Sequence, residues 1–174
     1  MHLFKNKSMT STGYKHAMQY GIFFGLAFFI GFLISTVFNS LFLSAVVTTS
    51  IFFATMRTTR NLRDKFLGGT MTYLQVVNYV ITLYFFASLL SSALKYIYWE
   101  YFNTDLLPQI MDQSLKVASS LGLQISDAEA ASMLEITSAS FALQYIWANI
   151  FLGLLAGLII GFFVKTKQYE APKS

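Results

Sequence analysis

A chain of 174 residues that is 55% hydrophobic, 17% aromatic and only 11% charged cannot cover a water-facing surface, which takes about 25% charged residues in soluble domains. The absence of cysteine excludes disulfides, thiolate metal sites and a cysteine nucleophile. The net charge of +4 does not point to nucleic acid, because the basic residues stand at the ends of apolar segments and not on one soluble face.

Residues 1–16 are polar and carry Lys5, Lys7 and Lys15. The apolar run that follows, 17–38, is about a bilayer long and leads directly into another, so it reads as a retained signal anchor. Gly21 and Gly25 form one small-residue pair on it, and Ala27, Gly31 and Ser35 form a row at four-residue spacing. Such rows let helix backbones approach closely in lipid. Asn39-Ser40 reads as a tight turn. The next run, 41–56, is short for a span, and the hydroxyls of Thr48, Thr49 and Ser50 are expected to bond to the preceding turn or a neighbouring helix.

The stretch 57–70 is the most basic in the chain. Arg57, Arg60 and Arg63 are spaced to share a helical face, Lys65 follows, and Gly68-Gly69 ends the helix or permits a turn at positive φ. A long apolar run, 73–99, carries the polar stripe Gln75, Asn78 and Thr82. It ends in an aromatic belt of Tyr96, Tyr98, Trp99 and Tyr101. Lys95 beside that belt is expected to snorkel to the interface.

Residues 100–138 hold six of the eight acidic side chains. An amphipathic helix is expected over 105–121, with Leu106, Leu107, Ile110, Met111, Leu115 and Ala118 on one face. Pro108 fits its first turn and Gly122 ends it. Ser126-Asp-Ala-Glu129 reads as a capping box that starts a second short helix through Thr137. The last run, 139–164, contains Gly153, Gly157 and Gly161, with Asn149 on the same row, and is closed by Lys165 and Lys167.

Ten of the twelve Lys and Arg residues fall in the N-terminus, the 57–70 stretch and the tail. With four spans these regions share one side, the cytoplasm by the positive-inside rule. The acidic segment then lies opposite.

The stretch Arg63-Asp-Lys-Phe-Leu-Gly-Gly-Thr-Met-Thr-Tyr73, with the Ser126-Asp-Ala-Glu129 restart and the Gly-rich last run, resembles the DUF4199 family of small four-span membrane proteins from Bacteroidota. The resemblance covers about 15–168. It implies a bacterial inner-membrane location and brings no established activity, so no functional residue is carried over.

Several features bear on chemistry. Arg57, Arg60, Arg63, Lys65, Gly68 and Gly69 form a candidate site for an anionic lipid or phosphate headgroup, although topology and a helix end account for them more simply. Gly153, Gly157 and Gly161 are expected to pack inside the protomer, for example against Ala27, Gly31 and Ser35; a homodimer face is the alternative. The Gln75, Asn78, Thr82 and Asn149 positions suit interhelical hydrogen bonds better than a substrate path. Leu107, Ile110, Met111 and Leu115 are a candidate partner interface. The carboxylates lack EF-hand spacing, so no metal site is expected. His2 and His16 are the two histidines, and no nucleophile–base motif accompanies them, so neither an enzyme nor a cofactor is expected.

The sequence therefore predicts one all-α integral membrane domain over 1–174. Its four transmembrane helices form two hairpins, joined by a cytoplasmic basic loop at 57–72, and an extracytoplasmic helical hairpin lies at 100–138. The expected role is a non-catalytic accessory or scaffold subunit of a cell-envelope complex in the inner membrane, with both termini cytoplasmic. The alternative is a carrier of lipid-linked substrates, or a small transporter, that uses the basic loop. Membrane lipids and another membrane protein or a second copy are the expected partners, and nucleic acid is not.

Overall fold

The structure is a computed structural model, described over residues 3–38, 40–123 and 126–166. Asn39 of the expected turn, His2, and the tail lysines Lys167 and Lys173 lie outside the described residues. Among these residues the chain is all-helical: α1 (Leu3–Phe38), α2 (Leu41–Asn61), α3 (Tyr73–Ile97), α4 (Leu106–Ser120), α5 (Asp127–Leu134) and α6 (Ser138–Val164). Two π-helical turns extend α2 over Leu62–Phe66 and α3 over Tyr98–Phe102. Among the described residues three helical stretches are long and apolar enough to cross a membrane: Ser11–Phe38, Tyr73–Phe102 and Ser138–Val164. The run in α2 is interrupted by Thr48-Thr49-Ser50 and ends at Arg57, and it is not among them.

The chain divides into two compact units, Met1–Ser91 with Ala148–Ser174, and Ser92–Trp147. In the first unit α3 is the central helix. The most apolar part of its stretch is 56% buried, against 22% for α1 and 28% for α6. Small residues on its neighbours make this enclosure possible. A Cβ on Gly21 would stand 2.6 Å from the Cβ of Phe86, and one on Gly25 would stand 2.8 Å from the carbonyl oxygen of Ala87. On α6, a Cβ at Gly153 would meet Tyr84 at 2.7 Å, one at Gly157 would meet the Val77 backbone at 3.2 Å, and one at Gly161 would meet the Tyr73 ring at 2.6 Å. The α6 row is therefore occupied by α3 inside the protomer. Its partner is not the Ala27/Gly31/Ser35 row, because that row turns to α2. There a Cβ on Gly31 would meet Val47 at 2.7 Å, and the hydroxyls of Ser35 and Ser44 are 2.8 Å apart. The outward faces carry exposed Phe23, Ile30, Phe151, Phe162 and Phe163. Large apolar side chains exposed in such number suit contact with lipid or protein better than contact with water.

Hydroxyls inside α2 bond back to the preceding turn, as expected for Thr48 and Ser50, and also for Thr55 and Thr59. Thr55 additionally approaches the Tyr84 hydroxyl on α3 at 3.3 Å. Of the polar stripe on α3, Asn78 is exposed and Thr82 bonds back to its carbonyl. Gln75 closes a capping box, because its side-chain oxygen accepts from the Thr72 N–H at 2.9 Å while the Thr72 hydroxyl faces the Gln75 N–H. The Thr72-x-x-Gln75 spacing carried that signal in the sequence.

In the second unit Lys95 does not snorkel. It is buried, with its ammonium 3.7 Å from the centroid of the Tyr145 ring, where cation–π attraction offsets part of the lost hydration. Trp99 is likewise buried, against Phe141 and Tyr145, so this part of the aromatic belt is core while Tyr101 stays exposed. On α4 the side chains of Leu107 and Met111 are buried, and Ile110 and Leu115 are half-buried. Gly122 ends α4 at φ 75°, with the Leu123 N–H returning to the Ala118 carbonyl.

The second capping box forms. The Glu129 carboxylate accepts from the N–H and the hydroxyl of Ser126, and the Glu129 N–H donates to that hydroxyl. α5 stops at Leu134 instead of Thr137, because the Thr137 hydroxyl accepts from the Ser140 N–H and caps α6. The Ser126 N–H, and then its hydroxyl, hold the Glu129 carboxyl below the ordinary carboxylate range. A lowered folded pKa contributes stability above the unfolded value and loses it as pH falls through the folded one. Acidification through and below the usual carboxylate range should therefore speed amide exchange in α5. Ser126→Ala should weaken that pH step; an unchanged step would count against the box.

Candidate functional site

The basic connection between α2 and α3 is positioned by the end of α2. Leu62 is fully buried, and the π-helical turn that begins there sends the Leu67 N–H back to the Leu62 carbonyl and the Gly69 N–H back to the Arg63 carbonyl. The backbone then reverses through Gly68 (φ 64°) and Gly69 (φ 81°). A Cβ at either glycine would have open space around it, so the requirement is one of backbone conformation and not of room. Left-handed backbone costs a non-glycine residue roughly 1–2 kcal/mol. Gly68→Ala should lower stability by about that amount in detergent unfolding, and no loss would show that the turn is not formed.

After the turn the chain lies against the end of α6. The Met71 N–H donates to the Thr166 hydroxyl at 3.0 Å, that hydroxyl donates to the Gly69 carbonyl at 3.0 Å, and the Thr166 N–H donates to the Met71 carbonyl at 3.0 Å. Arg63 completes the clamp, with one guanidinium N–H donating to the Val164 carbonyl at 2.7 Å. That carbonyl is one of the orphan acceptors at a helix C-terminus, where the helix dipole also favours a cation. Two further N–H groups of Arg63, on Nε and Nη2, donate to the Asp64 carboxylate at 2.7 and 3.3 Å. This contact holds the Asp64 carboxyl below its ordinary range.

The six predicted headgroup residues thus share one connection but divide by role. Arg63, Gly68 and Gly69 build the clamp, while Arg57, Arg60 and Lys65 are exposed. Phe66 reaches α1, where its ring meets the His16 ring edge-on at 5.2 Å. His16 is buried, with Nδ1 2.7 Å from the Tyr79 hydroxyl and Tyr20 stacked on its ring. In the sequence His16 stands out only as one of two histidines without a nucleophile–base motif. Its place in a polar–aromatic cluster depends on contacts 50 and 63 residues away, which no local pattern announces.

The arrangement supplies exposed cations beside a tightly bonded turn. Among the described residues no three His, Asp or Glu side chains gather to hold a metal ion. On the second unit an open groove of about 410 Å³ is lined by apolar Ile110, Val117, Leu121 and Leu123 with polar Gln113 and Ser114. Of the four predicted interface residues, Ile110 lines it, whereas the burial of Leu107 and Met111 makes them core.

A family model described as "Protein of unknown function (DUF4199)" matches residues 19–166. Neither a curated protein nor a solved structure matches the chain.

Proposed function

We propose, for a chain that belongs to the DUF4199 family, that it is a four-span, non-catalytic protein of the bacterial inner membrane serving as an accessory or scaffold subunit of a cell-envelope assembly. Contacts between α1 and α2 support the fourth span. They run from Ser35 and Ser44 at one end to His16 and Phe66 at the other, so an α1 that crosses the membrane takes α2 back across. The basic connection then shares a side with residue 16 and with Thr166, and positive-inside bias makes that side the cytoplasm. Two hairpins in the membrane and an extracytoplasmic segment around α4 and α5 follow.

The observation that carries the subunit reading is the close packing of one face of α3. Val76, Val80 and Leu83 have no exposed surface, and glycines bring α1 and α6 into contact with α3. That interior favours packing over a path for substrate, and it leaves the α4 groove as the surface for a membrane-protein partner. Purification in mild detergent should recover such a partner in stoichiometric amount, and Ile110→Glu with Leu121→Glu should lose it. Recovery of the bare protein under every condition would overturn the reading. The exposure of Arg57, Arg60 and Lys65 supports a second reading, a carrier that holds an anionic headgroup. Neutralising the three should then release lipid retained in native mass spectrometry, and unchanged retention would sink it.

A further inference from the structure

Asn78 stands on a face of α3 that its described neighbours leave open. α1 packs against Phe86, Ala87 and Leu90, and α6 packs against Tyr73, Val77 and Tyr84. None of these belongs to the stripe formed by Leu74, Asn78, Ile81, Phe85 and Leu89, of which Ile81 is half-buried and the others are exposed. Leu74, Asn78, Ile81 and Phe85 follow at steps of four, three and four. That is the repeat by which two helices pair at a shallow left-handed crossing.

Asn78 is the polar member of the stripe. Its backbone carbonyl accepts from the Thr82 hydroxyl at 2.7 Å, and among the described residues no hydrogen bond reaches its side-chain amide. The position lies well inside the apolar helices. Its neighbour Val77 meets α6 at Gly157, and α6 runs on to Val164 for roughly 10 Å of helix before Lys165. In a bilayer the amide would face hydrocarbon, which offers neither donor nor acceptor, and leaving it unpaired there is costly. Exposed Phe151 and Phe163 on α6 are satisfied by lipid alone; Asn78 is not.

We infer that this stripe of α3 binds the same stripe of a second copy, with the two Asn78 amides hydrogen-bonded across a two-fold axis along the membrane normal. A primary amide carries both donors and an acceptor, so it is complementary to itself. A two-fold axis beside the stripe brings each amide to its own counterpart. Asparagine at a helix–helix seam fixes register and pairing in this way. The glycine row of α6, the other face on which copies could meet, is already filled by α3 within the protomer. The dimer requires that α3 cross the membrane and is independent of both the subunit and the carrier readings.

The full chain, labelled with a donor or an acceptor dye on Ser174→Cys, is reconstituted in phosphatidylethanolamine–phosphatidylglycerol vesicles over a range of protein-to-lipid ratios. Energy transfer should rise saturably with protein density, and unlabelled chain should compete it away. Asn78→Leu should weaken dimerisation about tenfold, and Asn78→Gln, which keeps the amide, should retain most of it; circular dichroism checks that both variants fold. Oxidative cross-linking in membranes keeps Asn78 in place and is the second test. Leu74→Cys or Phe85→Cys should form an intermolecular disulfide, and Phe151→Cys on α6 should not. A monomer at every density, dimerisation unaffected in a folded Asn78→Leu chain, or cross-linking at Phe151→Cys with none on the stripe would overturn the assignment.

Discussion

Gly157→Leu should destabilise the chain by about 3 kcal/mol, the upper part of the range for forcing extra volume into a packed interior. The added Cβ alone would lie 3.2 Å from the Val77 Cα and carbonyl oxygen and 3.3 Å from the Val80 Cβ. Two of those atoms are backbone, so no rotamer change relieves the contact and α6 must move off α3. The α6 faces at Gly153 and Gly161 then lose their fit to Tyr84 and Tyr73 as well. Gly13→Ala is the matched control, since nothing lies within 4 Å of its added Cβ. It should be neutral or slightly stabilising through helix propensity. Reversible unfolding in mixed micelles measures both, and a Gly157→Leu protein as stable as the parent would refute the packing of α6 on α3.

Releasing the clamp should have the next largest effect. Arg63→Ala removes a charge-assisted hydrogen bond to the Val164 carbonyl, a class of interaction that contributes about 1.5–3 kcal/mol. Thr166→Val keeps the shape of the side chain but leaves the Met71 N–H and the Gly69 carbonyl without their hydroxyl partner. Both changes free the same end of α6, so the double variant should fall short of the sum of the singles. Amide exchange should rise at Lys165 and Thr166, whose N–H groups donate to the carbonyls of Gly161 and Met71 respectively. Asp64→Asn should change little, because an exposed ion pair contributes about 0–1 kcal/mol. Unchanged exchange at both amides in the double variant would show that the clamp does not hold the helix end.

These contacts give a physical meaning to the stretch from Arg63 to Tyr73, which carries the family resemblance. Local signals in it were legible. The glycine pair marked a positive-φ turn, and the arginine spacing marked a helix that continues past the apolar run. What the sequence could not reveal was the surface against which the turn closes, because the Arg63–Val164 and Gly69–Thr166 contacts join positions about 100 residues apart. The small-residue rows were likewise visible as rows, but a row does not name its partner. Tyr73, Val77, Val80 and Tyr84 form the complementary face on α3, and tyrosine and valine serve equally well as ordinary lipid-facing residues. Lys95 departs from its expected snorkelling for a related reason: beside an aromatic belt, a lysine that reaches for the interface and one held over a buried tyrosine ring look alike in sequence. The capping box at Ser126 was fully legible because all of its partners lie within four residues.

The cysteine-free chain allows a direct test of the proposed four-span arrangement. Single substitutions Ser40→Cys, Lys65→Cys and Ser119→Cys report the α1–α2 connection, the basic connection and α4 respectively. A membrane-impermeant maleimide applied to spheroplasts, with the outer membrane removed, should label Ser40→Cys and Ser119→Cys at once and Lys65→Cys only after the inner membrane is permeabilised. Equal labelling of Ser40→Cys and Lys65→Cys in sealed spheroplasts would place both ends of α2 on one side and contradict the account.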